Sequence, residues 1–212
     1  MRIIECGQDC LGSCISDREI KNIAQELQNG ALLVYPTDTV YGLGADPFNE
    51  AAVKKLYIAK NRPFDMPLSV AVADINMAEK IAVLDDVARR LIEKFLPGPL
   101  TLIIKKKPNV PDITTAMSDK VGIRIPDHPL ALRIIREFGP LVATSANLHS
   151  HPDAAEMKSA MNDLDDSVGT YIDCGPCQLG KPSTIVWMMN GEIEIVRQGA
   201  ISREAIEGAL NE

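Results

Sequence analysis

The stretch from Ala31 to Pro47 reads ALLVYPTDTVYGLGADP, and it carries the most information about the fold. It begins with an apolar run that is typical of a buried strand. A proline ends the run, and two threonines and an aspartate then precede two glycines, which is typical of a tight turn. Asn49 can cap a helix directly after this stretch. We therefore predict a strand, a glycine-bearing turn and a helix, which is a unit of α/β proteins.

Hydrophobic periodicity predicts further elements on both sides of this unit. Helices are predicted over 20–27, 52–57, 87–95 and 130–138 and from Ser202, and strands over 31–35, 68–72, 100–105, 121–125 and 141–145. Residues 183–189 and 192–197 flank Asn190-Gly191, which predicts a hairpin with a type I′ turn. The prediction is a single α/β domain, 1–212, with a mixed parallel and antiparallel sheet.

Length, composition and charge exclude several functional classes. The 212 residues are 46% hydrophobic and 24% charged, which is ordinary for a globular protein. No long uncharged apolar stretch and no signal-peptide pattern is present, so we expect a cytoplasmic protein without a membrane segment. The net charge of -7 argues against a broad basic surface for nucleic acid. The only basic run, at 105–107, is read as a solvated strand end.

The chain has five cysteines, Cys6, Cys10, Cys14, Cys174 and Cys177. An odd count without a secretory signal indicates reduced thiols. Cys174-Gly-Pro-Cys177 has the spacing of a zinc-ligand pair, but the other three cysteines are spaced by four, which lacks the second short pair of a zinc ribbon. We therefore expect no tightly bound metal.

Polar residues follow several of the predicted strands. Thr37 and Thr39 follow the first strand, and Ser145 and Asn147 lie at the end of another. In open α/β sheets ligands bind at the carboxyl ends of strands, although each of these residues also suits a plain turn. Arg124 lies within an apolar strand, so its guanidinium requires an anion, which either the protein or a ligand could supply.

Other candidate residues are cations and hydroxyls near the ends of elements. Lys60 and Arg62 close the second predicted helix, where they could cap the helix or bind phosphate. Ser183, Thr184 and Arg197 flank the predicted hairpin, where they could contact a ligand or simply decorate the sheet. From these residues alone both alternatives remain open at each position.

Seven motifs in this order carry a resemblance to a known family: PTDTVYGLG, KNRPFDMPL, PGPLT, VGIRIPDHP, ATSAN, KPSTIV and VRQGAI. Together they resemble the YrdC family of threonylcarbamoyl-AMP synthases, and they extend from about residue 20 to residue 201. The resemblance implies a strongly twisted mixed sheet around a deep concave cavity.

The same resemblance implies a reaction of L-threonine, bicarbonate and ATP that gives threonylcarbamoyladenylate and pyrophosphate. Mg²⁺ is expected with the ATP. The product would serve a downstream tRNA threonylcarbamoyl transferase complex that modifies an adenosine in tRNA. Because the chain is acidic, we expect its own contact with tRNA to be weak at most.

The resemblance also implies roles for eight residues. Those implied for the threonine pocket are Thr37, Arg124, Ser145 and Ser183, and those implied for ATP are Lys60, Arg62, Asn147 and Arg197. Of these, Lys60 and Arg62 are predicted to act in catalysis, because positive charge near the α-phosphate stabilises the charge that develops there.

The sequence departs from the family pattern in two places. Ala71 stands where many relatives have a histidine at the threonine site, and the usual SANxSG reads SANLHS, so that His149 and Ser150 replace a serine and a glycine. Longer relatives carry a second C-terminal domain, and we expect this chain to be the short form. Two alternatives remain open: an RNA-binding module of the same pathway, and an enzyme of a sibling branch whose substrate is not threonine.

Overall fold

A computed structural model of the chain describes residues 1–7, 14–189 and 192–210, with the backbone alone at 189 and 192. The predicted turn at Asn190-Gly191 and Cys10 lie outside these residues. Within them the strands are β1 (Arg2–Glu5), β2 (Leu33–Tyr35), β3 (Gly42–Gly44), β4 (Ser69–Ala71), β5 (Leu100–Lys105), β6 (Lys120–Arg124), β7 (Leu141–Ser145), β8 (Thr170–Asp173), β9 (Thr184–Met189) and β10 (Glu192–Arg197). The helices are α1 (Asp17–Gln28), α2 (Glu50–Ala59), α3 (Ile75–Ile81), α4 (Asp86–Phe95), α5 (Pro129–Phe138), α6 (Met157–Leu164) and α7 (Arg203–Leu210), with a 3₁₀ turn at Asp165–Ser167.

The strands form one mixed sheet in the order β1-β8-β2-β3-β7-β4-β6-β5-β9-β10. The pairs β1 with β8, β8 with β2, β4 with β6, and β5 with β9 are parallel, and the other neighbours are antiparallel. The predicted mixed α/β sheet is therefore confirmed. The predicted pairing of 183–189 with 192–197 is also confirmed, since β9 and β10 are antiparallel neighbours.

The prediction of a glycine-bearing turn in the stretch 31–47 was wrong. Gly42 and Gly44 do not lie in a turn before a helix but in β3, which pairs with β2 in an antiparallel manner. Both glycines lie against the ring of Tyr35, and a Cβ atom at Gly42 would approach the ring to 2.9 Å. At Gly44 a Cβ would lie 2.8 Å from the side chain of Leu141. The glycines are thus required by close packing, and the turn is formed by residues 36–41, which we call the threonine loop.

Side-chain caps fix the starts of α1 to α4. Asn49 begins α2 as predicted, and its side chain accepts hydrogen bonds from the backbone N–H groups of Ala51 and Ala52. Ser16 caps α1 in the same way. The elements that the sequence did not predict are short, with three to eight residues each, and they are β1, β3, β8, α3 and α6. Short elements give little periodic signal.

The sheet is covered on both faces, and the central strands are apolar on both sides. Leu33 and Tyr35 of β2 pack with residues of α1 and α5, whereas Val34 packs with residues of α2 and α6 on the opposite face. A further apolar cluster joins β5 and β6 to α3, α4 and α7. No helix in the described ranges combines the length and apolar character needed to cross a membrane.

Candidate active site

A concave cavity of about 180 Å³ opens at the threonine loop. Its walls come from this loop and from β3 to β7, together with the chain segments before β9 and at the end of β10. Six of the predicted site residues line it: Thr37, Arg62, Arg124, Ser145, Ser183 and Arg197. The fold thus brings together side chains that lie far apart in the sequence. Lys60 and Asn147 are not among the described residues that line the cavity.

Thr37 shapes the threonine loop with its hydroxyl group. The hydroxyl donates to the carbonyl of Val40 at 2.6 Å and accepts from the backbone N–H of Thr39 at 3.2 Å. The hydroxyl of Thr39 lies 3.0 Å from that of Thr37. These bonds fold the loop back on itself, so the position of Thr37 in the cavity wall is fixed before any ligand binds.

Arg124 has its anion inside the protein. Its Nη2 atom lies 2.6 Å from Oδ1 of Asp38, which is 4% exposed and also accepts from the backbone N–H of Asp127 at 3.2 Å. Nε of Arg124 and Oδ2 of Asp38 are buried without a hydrogen-bond partner among the described residues. The pair therefore keeps unused hydrogen-bonding capacity.

Asp38 is a site residue that the sequence reasoning missed, since it was taken only as part of a turn. One signal could have identified it. An arginine in an apolar strand requires a buried carboxylate, and Asp38 directly follows Thr37, which was already a candidate.

Arg62 lines the cavity, and among the described residues its guanidinium donates hydrogen bonds only to its own loop. Its Nε donates to the carbonyl of Met66 at 3.2 Å and its Nη2 to the carbonyl of Pro67 at 2.8 Å. Burial lowers the pKa of this guanidinium. No carboxylate in the described part of the chain forms an ion pair with it, so its charge remains available to an anion in the cavity.

Arg197 lies across the cavity. It donates to the carbonyl of Ser183 from Nε at 3.2 Å and from Nη2 at 2.9 Å, and Nη2 also lies 3.2 Å from the Ser183 hydroxyl. Burial lowers the pKa of Arg197, as do the positive charges of Arg124 and Arg62, while Asp153 opposes them. Arg197 is thus close enough to Arg124 and to Arg62 to be repelled by both, and a bound anion would relieve this repulsion.

Among the lining residues that were not predicted are Tyr35 and Thr101. The hydroxyl of Thr101 lies 2.8 Å from that of Ser183, so the two hydroxyls form a pair in the cavity wall. Thr101 belongs to the motif PGPLT, but its place in an apolar strand gave no sign of a ligand contact. Burial raises the pKa of Tyr35, so this side chain is a neutral hydroxyl at physiological pH.

Lys60 is 2% exposed and binds the loop that follows β7. Its ammonium group donates to the backbone carbonyls of Ser145 and Asn147. The backbone of Lys60 ends α2, but its side chain is directed to this other loop and not to the carbonyls of its own helix. Burial, with the nearby charge of Arg62, lowers the pKa of Lys60 to about 8.

Asn147 is buried in the same loop. Its side-chain amide donates to the carbonyls of Leu148 at 2.9 Å and His151 at 2.8 Å. Its Oδ1 atom is buried without a partner among the described residues. Asn147 therefore shapes the loop with its side-chain amide, and Lys60 fixes the same loop through its hydrogen bonds to the backbone carbonyls.

Comparisons with known proteins identify the family of this chain. A sequence model of the Sua5/YciO/YrdC family, described as telomere recombination, matches residues 25–199. The chain belongs to this family. The resemblance seen in the sequence motifs is thereby confirmed.

Three relatives define the degree of similarity within the Sua5/YciO/YrdC family. A protein of Methanocaldococcus jannaschii, provisionally named threonylcarbamoyl-AMP synthase, is 43% identical over 84% of this chain and 84% of its own length. The threonylcarbamoyl-AMP synthase of Bacillus subtilis is 40% identical over 92% of this chain and 57% of its own length. The crystal structure of Pyrococcus abyssi Sua5 complexed with L-threonine superimposes with a TM-score of 0.92 at 33% identity, covering 99% of this chain and 61% of that one. The chain therefore spans less than two thirds of the last two proteins.

The departures from the Sua5/YciO/YrdC pattern lie in and near the cavity. Ala71 lines the cavity and is the parallel-strand partner of Arg124, at the position where the resemblance led us to expect a histidine. Ser150 has φ +68°, a left-handed conformation that favours glycine, which is the residue expected there from the family pattern. Ser150 is therefore strained in the conformation that this loop requires.

Proposed function

We propose that this chain synthesises L-threonylcarbamoyladenylate from L-threonine, bicarbonate and ATP, with release of pyrophosphate. The observation that carries the proposal is the convergence of Arg62, Arg124 and Arg197 in one cavity, where only Arg124 has a carboxylate partner among the described residues. Such a site suits a substrate with two separate anionic parts, a carboxylate and a triphosphate. The names of the relatives point to the same reaction.

We place threonine at the end of the cavity that contains Arg124. Its carboxylate would accept hydrogen bonds from the guanidinium, whose Nε has no partner in the described part of the chain. Thr37, Ser145 and Ser183 would surround the rest of the amino acid. Pyrococcus abyssi Sua5, which has the same fold, has been crystallised with L-threonine, which supports this choice of amino acid.

We place the triphosphate of ATP against Arg62 and Arg197, which keep their charge available to the cavity. Lys60 and Asn147 remain part of the proposed ATP site, but their role is to position the loop and not to contact the nucleotide directly. Lys60 holds the carbonyls of the loop that contains Ser145 and Asn147, and it adds positive charge behind the wall of the cavity. In this proposal Arg62 is the catalytic residue and Lys60 is a positioning residue.

The chemistry needs two steps. The amine of threonine attacks the carbon of bicarbonate and water leaves, which gives a carbamate. A carbamate oxygen then attacks the α-phosphorus of ATP, and the bond from that phosphorus to the bridging oxygen of pyrophosphate breaks. Charge grows on the phosphate oxygens in the second step, so fixed guanidiniums lower its barrier.

The described residues offer no carboxylate in the cavity wall for Mg²⁺. Magnesium in nucleotide sites is often carried mainly by the phosphates and water. We therefore propose that any Mg²⁺ enters with ATP.

The adenylate would be used by a separate transferase that modifies tRNA. The net charge of -7 disfavours extended contact between this chain and tRNA, so in this proposal the chain supplies an intermediate and another protein binds the nucleic acid. This reasoning also disfavours the alternative of an RNA-binding module.

An assay of pyrophosphate release tests the proposal. We expect purified protein with ATP and Mg²⁺ to release pyrophosphate only when threonine and bicarbonate are both present. Serine and alanine, tested in place of threonine, examine the pocket beside Ala71. Release that is independent of threonine would contradict the substrate, and faster release with another amino acid would favour the sibling branch.

A further inference from the structure

We propose that Cys6, Cys14 and Cys174 bind a single Zn²⁺ ion at a site separate from the cavity. Their Sγ atoms all lie within 4.8 Å of one another. We call these three residues the cysteine cluster. The proposal stands apart from the proposed enzyme activity, and it replaces the expectation from the sequence that the thiols hold no metal.

The sheet brings two of the cysteines together. The parallel pairing of β1 with β8 runs to Glu5 opposite Asp173, and Cys6 and Cys174 follow directly on the two strands. The backbone N–H of Cys6 donates to the carbonyl of Asp173 at 2.8 Å, which extends the ladder by one more residue. Side chains at matching positions of neighbouring strands point the same way, so the two thiols share one side of the sheet.

The third cysteine is placed by the start of a helix. Cys14 comes just before Ser16, whose hydroxyl caps α1. The adjoining Ile15 is buried with Ile172 and Cys174 in the apolar cluster under α1, and Cys6 packs against this cluster. Three separate parts of the fold therefore converge on one point.

The spacing of the sulfur atoms suits one ion. In a tetrahedral zinc site with Zn–S bonds of about 2.3 Å, the sulfur atoms lie about 3.8 Å apart. Ligands of a multinuclear iron–sulfur cluster lie further from one another, because several metal atoms separate them. A disulfide would use two of the three thiols and leave the third beside it. A soft cation uses all three, and thiolate ligands select zinc over magnesium or calcium.

The burial of the cluster suits a bound ion with access from solvent. Cys174 is 7% exposed, Cys6 is partly exposed and Cys14 is exposed. The ion would be shielded on the side of the sheet and reachable from the side of Cys14. The described residues supply three ligands, so a further group or a water molecule would fill the fourth position of a tetrahedral site.

The cluster also has a structural connection to the cavity. The backbone N–H of Cys174 donates to the hydroxyl of Tyr41 at 3.1 Å, and that hydroxyl donates to the carbonyl of Gly175 at 2.7 Å. Tyr41 ends the threonine loop and lines the cavity. An ion bound to Cys174 would therefore fix the end of β8 against this loop, so we assign the ion a structural role.

Metal analysis of the full chain tests the proposal. The protein is purified under reducing conditions without chelator, incubated with zinc sulfate and freed of excess metal. We expect about one zinc ion per chain in the wild type and in Cys177→Ser, the control that keeps the cluster. We expect a loss of at least tenfold in zinc affinity in Cys6→Ser, Cys14→Ser and Cys174→Ser. Wild-type protein that retains no zinc, or a triple variant that retains it fully, overturns the proposal.

Spectroscopy with the wild-type protein keeps the test independent of how the variants fold. Co²⁺ added to metal-free protein should give a thiolate-to-cobalt charge-transfer band, which Zn²⁺ should abolish. Absence of the band overturns thiolate ligation. Thiol titration of unfolded protein that was never exposed to reductant should recover all cysteines, whereas a stable disulfide within the cluster, or iron with sulfide in place of zinc, contradicts the single-ion site.

Discussion

The cavity and the cysteine cluster lie on either side of the segment that follows β8, and they differ in how the sequence reveals them. Cys174 belongs to the cysteine cluster. Cys177 lies near the threonine loop, where the backbone of Thr37 forms a hydrogen bond with its thiol. Burial raises the pKa of Cys177 to about 11, so it stays a neutral thiol. The two cysteines of the Cys-x-x-Cys spacing therefore do not share one cluster, whereas Cys6, Cys14 and Cys174 do. A short motif shows which residues are neighbours in the chain, while only the strand pairing shows which become neighbours in space.

The largest expected effect concerns the buried ion pair of the cavity. Arg124→Leu leaves Asp38 buried without its partner, so we expect a loss of about 3–5 kcal/mol in the free energy of unfolding. The double variant Arg124→Leu with Asp38→Leu should recover most of this loss and still lack threonine-dependent turnover. Urea denaturation and the pyrophosphate assay measure the two quantities. A double variant with normal turnover would remove Arg124 from the threonine site.

The next effect separates charge from geometry at Arg62. Arg62→Lys keeps the positive charge and loses the planar fork that grips phosphate oxygens. We expect kcat/KM for ATP to fall about a hundredfold, which corresponds to about 3 kcal/mol, with an unchanged melting temperature. Lys54→Arg, on an exposed face of α2, serves as a control that should behave as the wild type. Full activity in Arg62→Lys would mean that this residue does not bind the nucleotide.

Substitution in the cysteine cluster should lower stability and leave activity unchanged, which is the reverse of the effect expected at Arg62. Zinc at a hundredfold excess over its dissociation constant stabilises a folded protein by about 2.7 kcal/mol, and Cys6→Ser should remove most of this gain. The value of kcat/KM for ATP should remain within about twofold of the wild type, since Cys6 does not line the cavity. The measurement is thermal denaturation with and without zinc. Equal stabilisation of the variant and the wild type by zinc would place the ion elsewhere.

Lys60 links stability to pH. Its pKa in the folded state is about 8, below the ordinary value of 10.5, so between these values the unfolded chain binds more protons than the folded one. Stability from this group therefore rises with pH in that window and is constant below it. Compared with Lys60→Met, the wild type should gain about 2 kcal/mol from pH 7.5 to pH 9.5 in urea denaturation. Parallel pH curves for the two proteins would refute the lowered pKa.

The smallest effect lies at Ser150. Its φ of +68° is strained for serine and relaxed for glycine, so Ser150→Gly should raise the free energy of unfolding by about 0.5–1 kcal/mol. Ser159→Gly, within α6, provides the contrast, since glycine should destabilise a helix. Melting temperatures of the two variants make the comparison. A destabilised Ser150→Gly protein would show that the serine makes a compensating contact.

The mixed sheet could be predicted because its signals are local, whereas the cavity and the roles of its residues were implied only by the resemblance of the motifs to a family. Asn49 could be recognised as a helix cap, and the hairpin strands alternate clearly. The threonine loop was predicted as a polar loop, but β3 was missed because two of its three residues are glycines, whose role depends on the ring of Tyr35. Such a contact is set by tertiary packing, which periodicity does not report.

Long-range packing also determines the partners of two site residues, which could not be predicted from the sequence. Arg124 was known to need an anion, but its choice of Asp38 depends on how the threonine loop folds across β6. Lys60 was predicted as a helix cap or a phosphate ligand, and the carbonyls that its ammonium group contacts lie in a loop far along the chain. In each case the residue type was informative, whereas the partner depended on long-range packing.

The packing of Tyr35 over Gly42 and Gly44 has a consequence for how this site can evolve. A side chain at either glycine would occupy space that the ring, or Leu141, already fills. A single substitution at these positions is therefore disfavoured, and a smaller residue at 35 would leave a hole until a larger one appeared opposite. Variation at 35, 42 and 44 should therefore be inherited as a set.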